Sequence, residues 1–154
     1  MILPEREMAR WGFRVGREVE PPVFIGLRGQ LGAGKSVLAR AVARGAGVEV
    51  AIPSPTFNLM FRYRGRNVEV VHLDLYRLRS PDELWELGWD ELGHGPEIVL
   101  VEWPERAGER LPPDRWEVSL SAPEPGSLLR VVRVAEFGRP PPLPGFPVSA
   151  ESEP

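Results

Sequence analysis

Val23-Phe24-Ile25-Gly26-Leu27-Arg28-Gly29-Gln30-Leu31-Gly32-Ala33-Gly34-Lys35-Ser36-Val37-Leu38 is the stretch whose reading decides the fold. It opens on a short, continuous apolar run, residues 23–27, with no polar alternation. That pattern marks a strand buried on both faces, as at the centre of a parallel sheet. A glycine-rich turn follows, from Gly29 to Gly34. Residues 36–44 then place Val37, Leu38, Ala41 and Val42 on one side of a helix, with Gly45 as its stop.

Gly29-Gln30-Leu31-Gly32-Ala33-Gly34-Lys35-Ser36 fits the pattern G-x-x-x-x-G-K-[ST]. Glycines at these places let the backbone curl tightly enough to aim successive N–H groups at phosphate oxygens. The Lys35 ammonium is expected to face solvent in the turn and to reach the β- and γ-phosphates, while the Ser36 hydroxyl ligates Mg²⁺. The helix that begins here adds its positive end to the cradle. The pattern sits after a buried strand and before an amphipathic helix, which separates it from a chance glycine-rich turn. Lys35 is the sole lysine among 19 basic residues, the rest being arginine. A GC-rich genome explains the arginine bias, and the one retained lysine stands where a compact ammonium is the expected phosphate ligand.

Working outward, residues 4–19 form a helix, with Met8, Trp11, Val15 and Val19 at helical spacing. Residues 57–63 and 68–76 read as two strands of a hairpin around Arg64-Gly65-Arg66-Asn67. Ser80-Pro81-Asp82-Glu83 starts a helix that stops near Gly88, with Ser as N-cap, Pro at N1 and Glu at N3. Ile98-Val99-Leu100-Val101 is a second buried strand, ending at Glu102. Residues 116–121 and 128–134 form a late antiparallel pair. From Gly138 the chain is proline-rich, and residues 138–154 read as a mobile or extended tail beside a single domain of residues 1–137.

Composition narrows the function. The net charge of −3 is not that of a protein that holds bare nucleic acid by itself. The absence of cysteine excludes disulfides, thiolate zinc and thiol catalysis, and His72 and His94 are the only imidazoles. No apolar run approaches the roughly 18 residues of a membrane helix, so the expected location is the cytoplasm with no membrane contact. A guanine-reading N-K-x-D motif would need a second lysine. That leaves adenine, or a base not strictly read. Asp90-Glu91-Leu92-Gly93 matches a GTPase D-x-x-G pattern but follows no apolar strand.

A Mg²⁺–nucleotide site needs an acid at the end of a buried strand. Glu102 holds that place, to bind the metal directly or through water or to orient attacking water; pairing with an arginine such as Arg106 is the structural alternative. In a strand, His72, Asp74 and Tyr76 share one face and Val71, Leu73 and Leu75 the other. An Asp in mid-strand is costly unless paired, so Asp74 serves either the site or an ion pair with Arg77 or another arginine. His72 and Tyr76 read as structural. Thr56 is either a hydroxyl that closes on Mg²⁺ or an ordinary turn residue. Arg62, Arg64, Arg66, Arg77 and Arg79 read first as a solvated hairpin edge. Trp85 and Trp89 belong to core or interface.

Four segments together resemble the TsaE family: Leu31-Gly32-Ala33-Gly34-Lys35-Ser36, Ser54-Pro55-Thr56-Phe57, His72-Leu73-Asp74-Leu75-Tyr76-Arg77-Leu78, and Val101-Glu102-Trp103-Pro104. The resemblance spans residues 3–135. It implies an ATPase that acts with TsaB and TsaD. Those two transfer the threonylcarbamoyl group from its adenylate to N6 of adenosine 37, in tRNAs reading codons that begin with A. The family protein hydrolyses ATP to reset the complex and touches tRNA only through it. By resemblance, Lys35 and Ser36 contact phosphate and Mg²⁺, Thr56 is a switch threonine, Asp74 and Glu102 are the acids of the hydrolytic centre, and Trp103 lies near the nucleotide. The family commonly has Asp where Gln30 stands and Thr where Ser36 stands. Its late Gly-Arg corresponds here to Gly126-Ser127, with Arg130 further on.

The expected fold is a three-layer α/β P-loop domain with a mixed sheet and a β-hairpin inserted after the first crossover helix. The expected site comprises Lys35, Asp74, Glu102 and Thr56 as catalytic groups, with Ser36 and Glu102 on the metal. Gly29, Gln30, Leu31, Gly32, Ala33, Gly34, Lys35, Ser36, Val37 and Trp103 surround ATP or ADP. The rival readings are a small-molecule P-loop kinase and a nucleotide-binding module without turnover.

Overall fold

The computed structural model describes residues 1–52 and 59–145. Its elements run β1 (Ile2–Pro4), α1 (Glu5–Glu18), β2 (Val23–Arg28), α2 (Lys35–Gly45), β3 (Met60–Arg64), β4 (Glu69–Asp74), α3 (Glu83–Glu86), β5 (Glu97–Glu102), β6 (Arg115–Ser121) and β7 (Leu129–Phe137). The strands make one mixed sheet in the order β1-β7-β6-β2-β5-β4-β3. The apolar run of residues 23–27 takes the centre, because β2 is parallel to β5 on one side and to β6 on the other. β4 continues the parallel set beside β5, and the hairpin partner β3 closes that edge antiparallel. β7 and β1 add the antiparallel half at the other edge.

Each face of the sheet carries its own core. On one face α1 and α2 pack Met8, Trp11, Val15, Leu38 and Val42 onto Ile25, Leu27, Val70, Leu100 and Val118. On the other, Val71, Leu73, Val99 and Val101 are covered by Leu78, Leu84, Trp89 and Ala107 from short helical turns. The period-two alternation of β4 therefore sorts Val71 and Leu73 from His72 and Asp74, as the strand pattern requires. The two helices approach to backbone contact. A Cβ on Gly16 would stand 1.9 Å from the Val42 carbonyl oxygen, and one on Gly45 1.9 Å from that of Phe13.

Several boundaries differ from the sequence reading. Gly45 does not stop α2; it lies in the last helical turn, where the bare backbone admits α1, and the left-handed residue is Gly47. The helix read over 81–88 is a single turn, Glu83–Glu86, cut short by left-handed Gly88. Its start departs from the expected capping box: Asp82 rather than Ser80 is the N-cap, with no side-chain cap bond, while Ser80 Oγ accepts from the Asp82 amide and Glu83 Oε1 from the Arg79 amide. Trp85 and Trp89 part company, Trp85 being exposed and Trp89 buried. β1 leaves no signal in the sequence, since its three residues carry no periodicity. Arg62 of the edge hairpin pairs with Glu69 of β4 and with Glu97 of β5, in line with the solvated reading.

The proline-rich segment calls for a correction. Residues 138–145 are docked rather than free: the Trp116 indole donates to the Pro141 carbonyl at 2.7 Å, the Trp11 indole donates to that of Pro144 at 3.0 Å, and Leu143 packs against the α1–α2 core. A segment without a secondary-structure ladder is held here by side-chain donors reaching its carbonyls.

Candidate functional site

Gly34 gives α2 its start. It sits at φ 106°, a left-handed conformation costly for any residue with a Cβ, as N-cap of a helix whose first turn has no side-chain cap and no acidic residue. The first turn of α2 itself thus brings no compensating charge to its positive end. Gly29 is required for space: a Cβ there would stand 2.5 Å from the Leu120 carbonyl oxygen.

Leu31, Gly32, Gly34, Lys35, Ser36, Val37, Asp74, Glu102 and Trp103 line one cavity of about 220 Å³, with Glu5 at its edge. Nine of the residues singled out in the sequence therefore converge. Gly29 and Gln30 contribute carbonyls rather than walls, and Ala33 turns its methyl into the core. Thr56 and its Ser54-Pro55-Thr56-Phe57 element lie outside the described residues. A roomier cavity of about 550 Å³, by the start of β2, is lined by Phe24, Trp89, His94 and Arg110 among others and holds none of the motif residues.

Lys35 corrects one expectation. It does not face solvent: it is 4% exposed. Its Nζ donates to the Gly29 and Gln30 carbonyls at 2.6 and 2.8 Å and lies 4.4 Å from the Trp103 ring centroid. Burial lowers its pKa below the usual lysine value, while the charges of Glu102, Asp74 and Glu105 act in the opposite direction. Trp103 can cover the ammonium because its own backbone is left-handed, at φ 61°, a conformation costing on the order of 1–3 kcal/mol for a non-glycine residue. Its ring also packs against Tyr76 at 5.1 Å.

The two acids are neighbours in register, Asp74 of β4 opposite Glu102 of β5. Glu102 is 2% exposed. Ser36 Oγ donates toward its two carboxylate oxygens at 3.1 and 3.4 Å, and His72 Nε2 lies 2.6 Å from Oε2. Arg106 is not its partner; it stands over the Tyr76 ring. Nor does Asp74 pair with Arg77: its Oδ1 accepts from the Tyr76 amide at 3.0 Å. Burial raises the Asp74 pKa; the Tyr76 amide bond lowers it, the Glu102 charge raises it, and His72 and Lys35 lower it.

Sequence reasoning assigned no site role to His72, Arg130 or Glu5. Arg130 reaches from β7 to the turn: its Nε stands 3.5 Å from where a Gly34 Cβ would be, and its Nη2 donates to Glu5 at 3.1 Å. His72 was legible in principle, because strand alternation puts it on the face of Asp74. Nothing in the sequence brings Arg130 or Glu5 to the turn.

Fold and site together define a small mixed α/β protein of the strand, glycine-rich turn, helix class, with a lysine, a serine and two carboxylates gathered at the turn. The chain belongs to the TsaE family: residues 3–128 match the family model described as threonylcarbamoyl adenosine biosynthesis protein TsaE. It is similar to the tRNA threonylcarbamoyladenosine biosynthesis protein TsaE of Treponema pallidum, 37% identical over 115 residues that cover 75% of this chain and 84% of the relative. The Rickettsia conorii protein of the same name is 38% identical over 119 residues, 77% of this chain and 67% of the relative. Among solved structures, the crystal structure of Bacillus subtilis YdiB superposes with a TM-score of 0.74 at 25% identity, over 90% of this chain and 84% of that one. Among the described residues no helix is long and apolar enough to cross a membrane.

Proposed function

We propose that this chain is a Mg²⁺-dependent ATPase of tRNA threonylcarbamoyladenosine synthesis. On this reading it acts with TsaB and TsaD and resets their complex rather than transferring the threonylcarbamoyl group. The observation that carries the reading is the meeting of Ser36 Oγ with both oxygens of Glu102 beside a buried Lys35, at the uncapped start of α2. A hydroxyl and a carboxylate are the hard oxygen donors that Mg²⁺ takes, and it ordinarily completes its shell with phosphate and water. Among the described residues no group of three or more His, Cys, Asp or Glu could hold a metal, which fits an ion that arrives with a nucleotide. When bound, Mg²⁺ would neutralise charge that develops on the phosphates.

The chain's own groups supply the rest. Amides of residues 32–36 cradle phosphate oxygens at the helix start. Lys35 exchanges its two carbonyl acceptors for phosphate. Asp74, facing the same cavity, is placed to orient water. The cavity of about 220 Å³ holds phosphates but not a whole nucleotide, so the base lies beyond it. A net charge of −3 fits a protein that meets tRNA only through partners.

The test is multiple-turnover modification of adenosine 37 by TsaB and TsaD, with and without this chain, beside Lys35→Ala. The wild type is expected to sustain repeated cycles with raised phosphate release, and the variant to sustain neither. Cycling supported equally by the variant would show that hydrolysis is not the coupling step. Labelled γ-phosphate found on a metabolite rather than in free phosphate would replace this reading with that of a kinase.

A further inference from the structure

His72 has no part in the mechanism above, yet its ring is set against the acid at the centre of the site. Its Nε2 lies 2.6 Å from Glu102 Oε2, and each side chain is only 3% exposed. In the sheet His72 stands opposite Phe61 of β3 and Leu100 of β5, both apolar. Packing alone would be met there at lower cost by an apolar residue, since a buried polar ring is tolerated only when bonded. The bond it makes is diagonal: Glu102 is two residues along from Leu100, within reach of a long side chain.

A glutamate has two free torsions before a broad terminal one, so its carboxylate plane must be held from outside to present a chosen oxygen. With Glu102 as the acceptor of this bond, the ring carries its hydrogen on Nε2. We propose that His72 is a positioning residue: through Nε2–H to Oε2 it locks the Glu102 carboxylate so that Oε1, the oxygen nearer Ser36, is presented to the metal. This deepens the function proposed above and rests on its assignment of Glu102 as a metal ligand. Carboxylates that bind metals are commonly held by such outer partners, whose removal costs roughly 10–100-fold in metal affinity.

The experiment compares wild type, His72→Leu, His72→Gln, Glu102→Gln and the double variant His72→Leu/Glu102→Gln. Mn²⁺ binding to the ADP complex is followed by electron paramagnetic resonance, and ADP binding is measured in chelator. His72→Leu is expected to weaken Mn²⁺ about tenfold with ADP affinity in chelator unchanged. It should cost nothing further in the Glu102→Gln background. His72→Gln, which keeps an N–H near the Nε2 position, should recover most of the affinity. An equal loss from His72→Leu in both backgrounds, or no recovery in His72→Gln, would make the role one of packing and overturn the proposal. A second readout needs no metal. The chain has two histidines, so ¹⁵N spectra resolve both rings. A downfield proton on His72 Nε2 that moves in Glu102→Ala supports the lock, and its absence in wild type overturns it. If Glu102→Gln binds Mn²⁺ as wild type does, the metal assignment of Glu102 fails, and the Nε2 proton still decides whether His72 holds that side chain.

Discussion

Ser36 Oγ lies 3.1 Å from Glu102 Oε1, although the two residues are 66 positions apart. The contact exists because β5 runs parallel beside β2, ending its buried run where the turn after β2 begins. A hydroxyl at a helix start and a carboxylate at a strand end then face one another across one strand spacing.

Glu102→Gln is expected to retain nucleotide, held mainly by the glycine-rich turn, and to lose turnover by about 10²-fold or more, since it keeps the shape and removes a negative charge from the metal site. Asp74→Asn should behave likewise. Nucleotide binding by fluorescence, set against phosphate release, separates the two effects. A parallel loss of both would assign these acids to structure.

Lys35→Ala is expected to abolish hydrolysis and also to lower stability. The buried ammonium bonds two turn carbonyls and lies under Trp103. Losing those bonds should cost on the order of 1–3 kcal/mol, partly offset because the buried charge itself is costly. A denaturant titration with an unchanged midpoint would show that the lysine contributes only charge.

Asp74 makes a pH prediction. Its pKa is raised in the folded protein, chiefly by burial. Between the ordinary carboxylate value and the folded one, the native state therefore binds more protons than the unfolded state, and stability falls as pH rises through that window. Asp74→Asn should then unfold at a higher temperature than wild type near pH 7. The advantage should vanish below about pH 3.8, the ordinary aspartate value, where the group is protonated in both states. A gain that persisted unchanged into acid would assign the effect to something other than this charge.

Gly16→Ala tests the seam between the helices. Its Cβ would stand 1.9 Å from a backbone oxygen of α2, which no rotamer change relieves. The helices must separate, at a cost of about 1–3 kcal/mol or more. Thermal melting is expected to fall by roughly 4 °C or more, using the usual slope for domains of this size. Wild-type melting would show that α1 rides freely on α2.

A chain ending at residue 137 tests the docked proline-rich segment. It loses two indole hydrogen bonds and the packing of Leu143. The expected loss is about 2–4 kcal/mol, from roughly 1 kcal/mol per bond and the burial of one apolar side chain. Equal denaturation midpoints would return the segment to the status of a tail.

The sequence by itself determined what local chemistry determines. The glycine spacing and the lysine of the turn, the two apolar runs that become β2 and β5, and the alternation that parts Val71 and Leu73 from His72 and Asp74 are all written within a few residues of chain. They survive in the structure because backbone conformation and side-chain period are short-range properties. Glu102 was legible for the same reason, as the polar end of an apolar run. Tertiary structure alone decided which groups touch. It buried Lys35 beneath Trp103, gave Glu102 the partner His72 in place of Arg106, drew Arg130 and Glu5 to Gly34, and set Pro141 and Pro144 under the indoles of Trp116 and Trp11. Each of these contacts depends on the order and register of strands far apart in the chain. The free energy that selects that order comes from the whole core, and no one segment carries it.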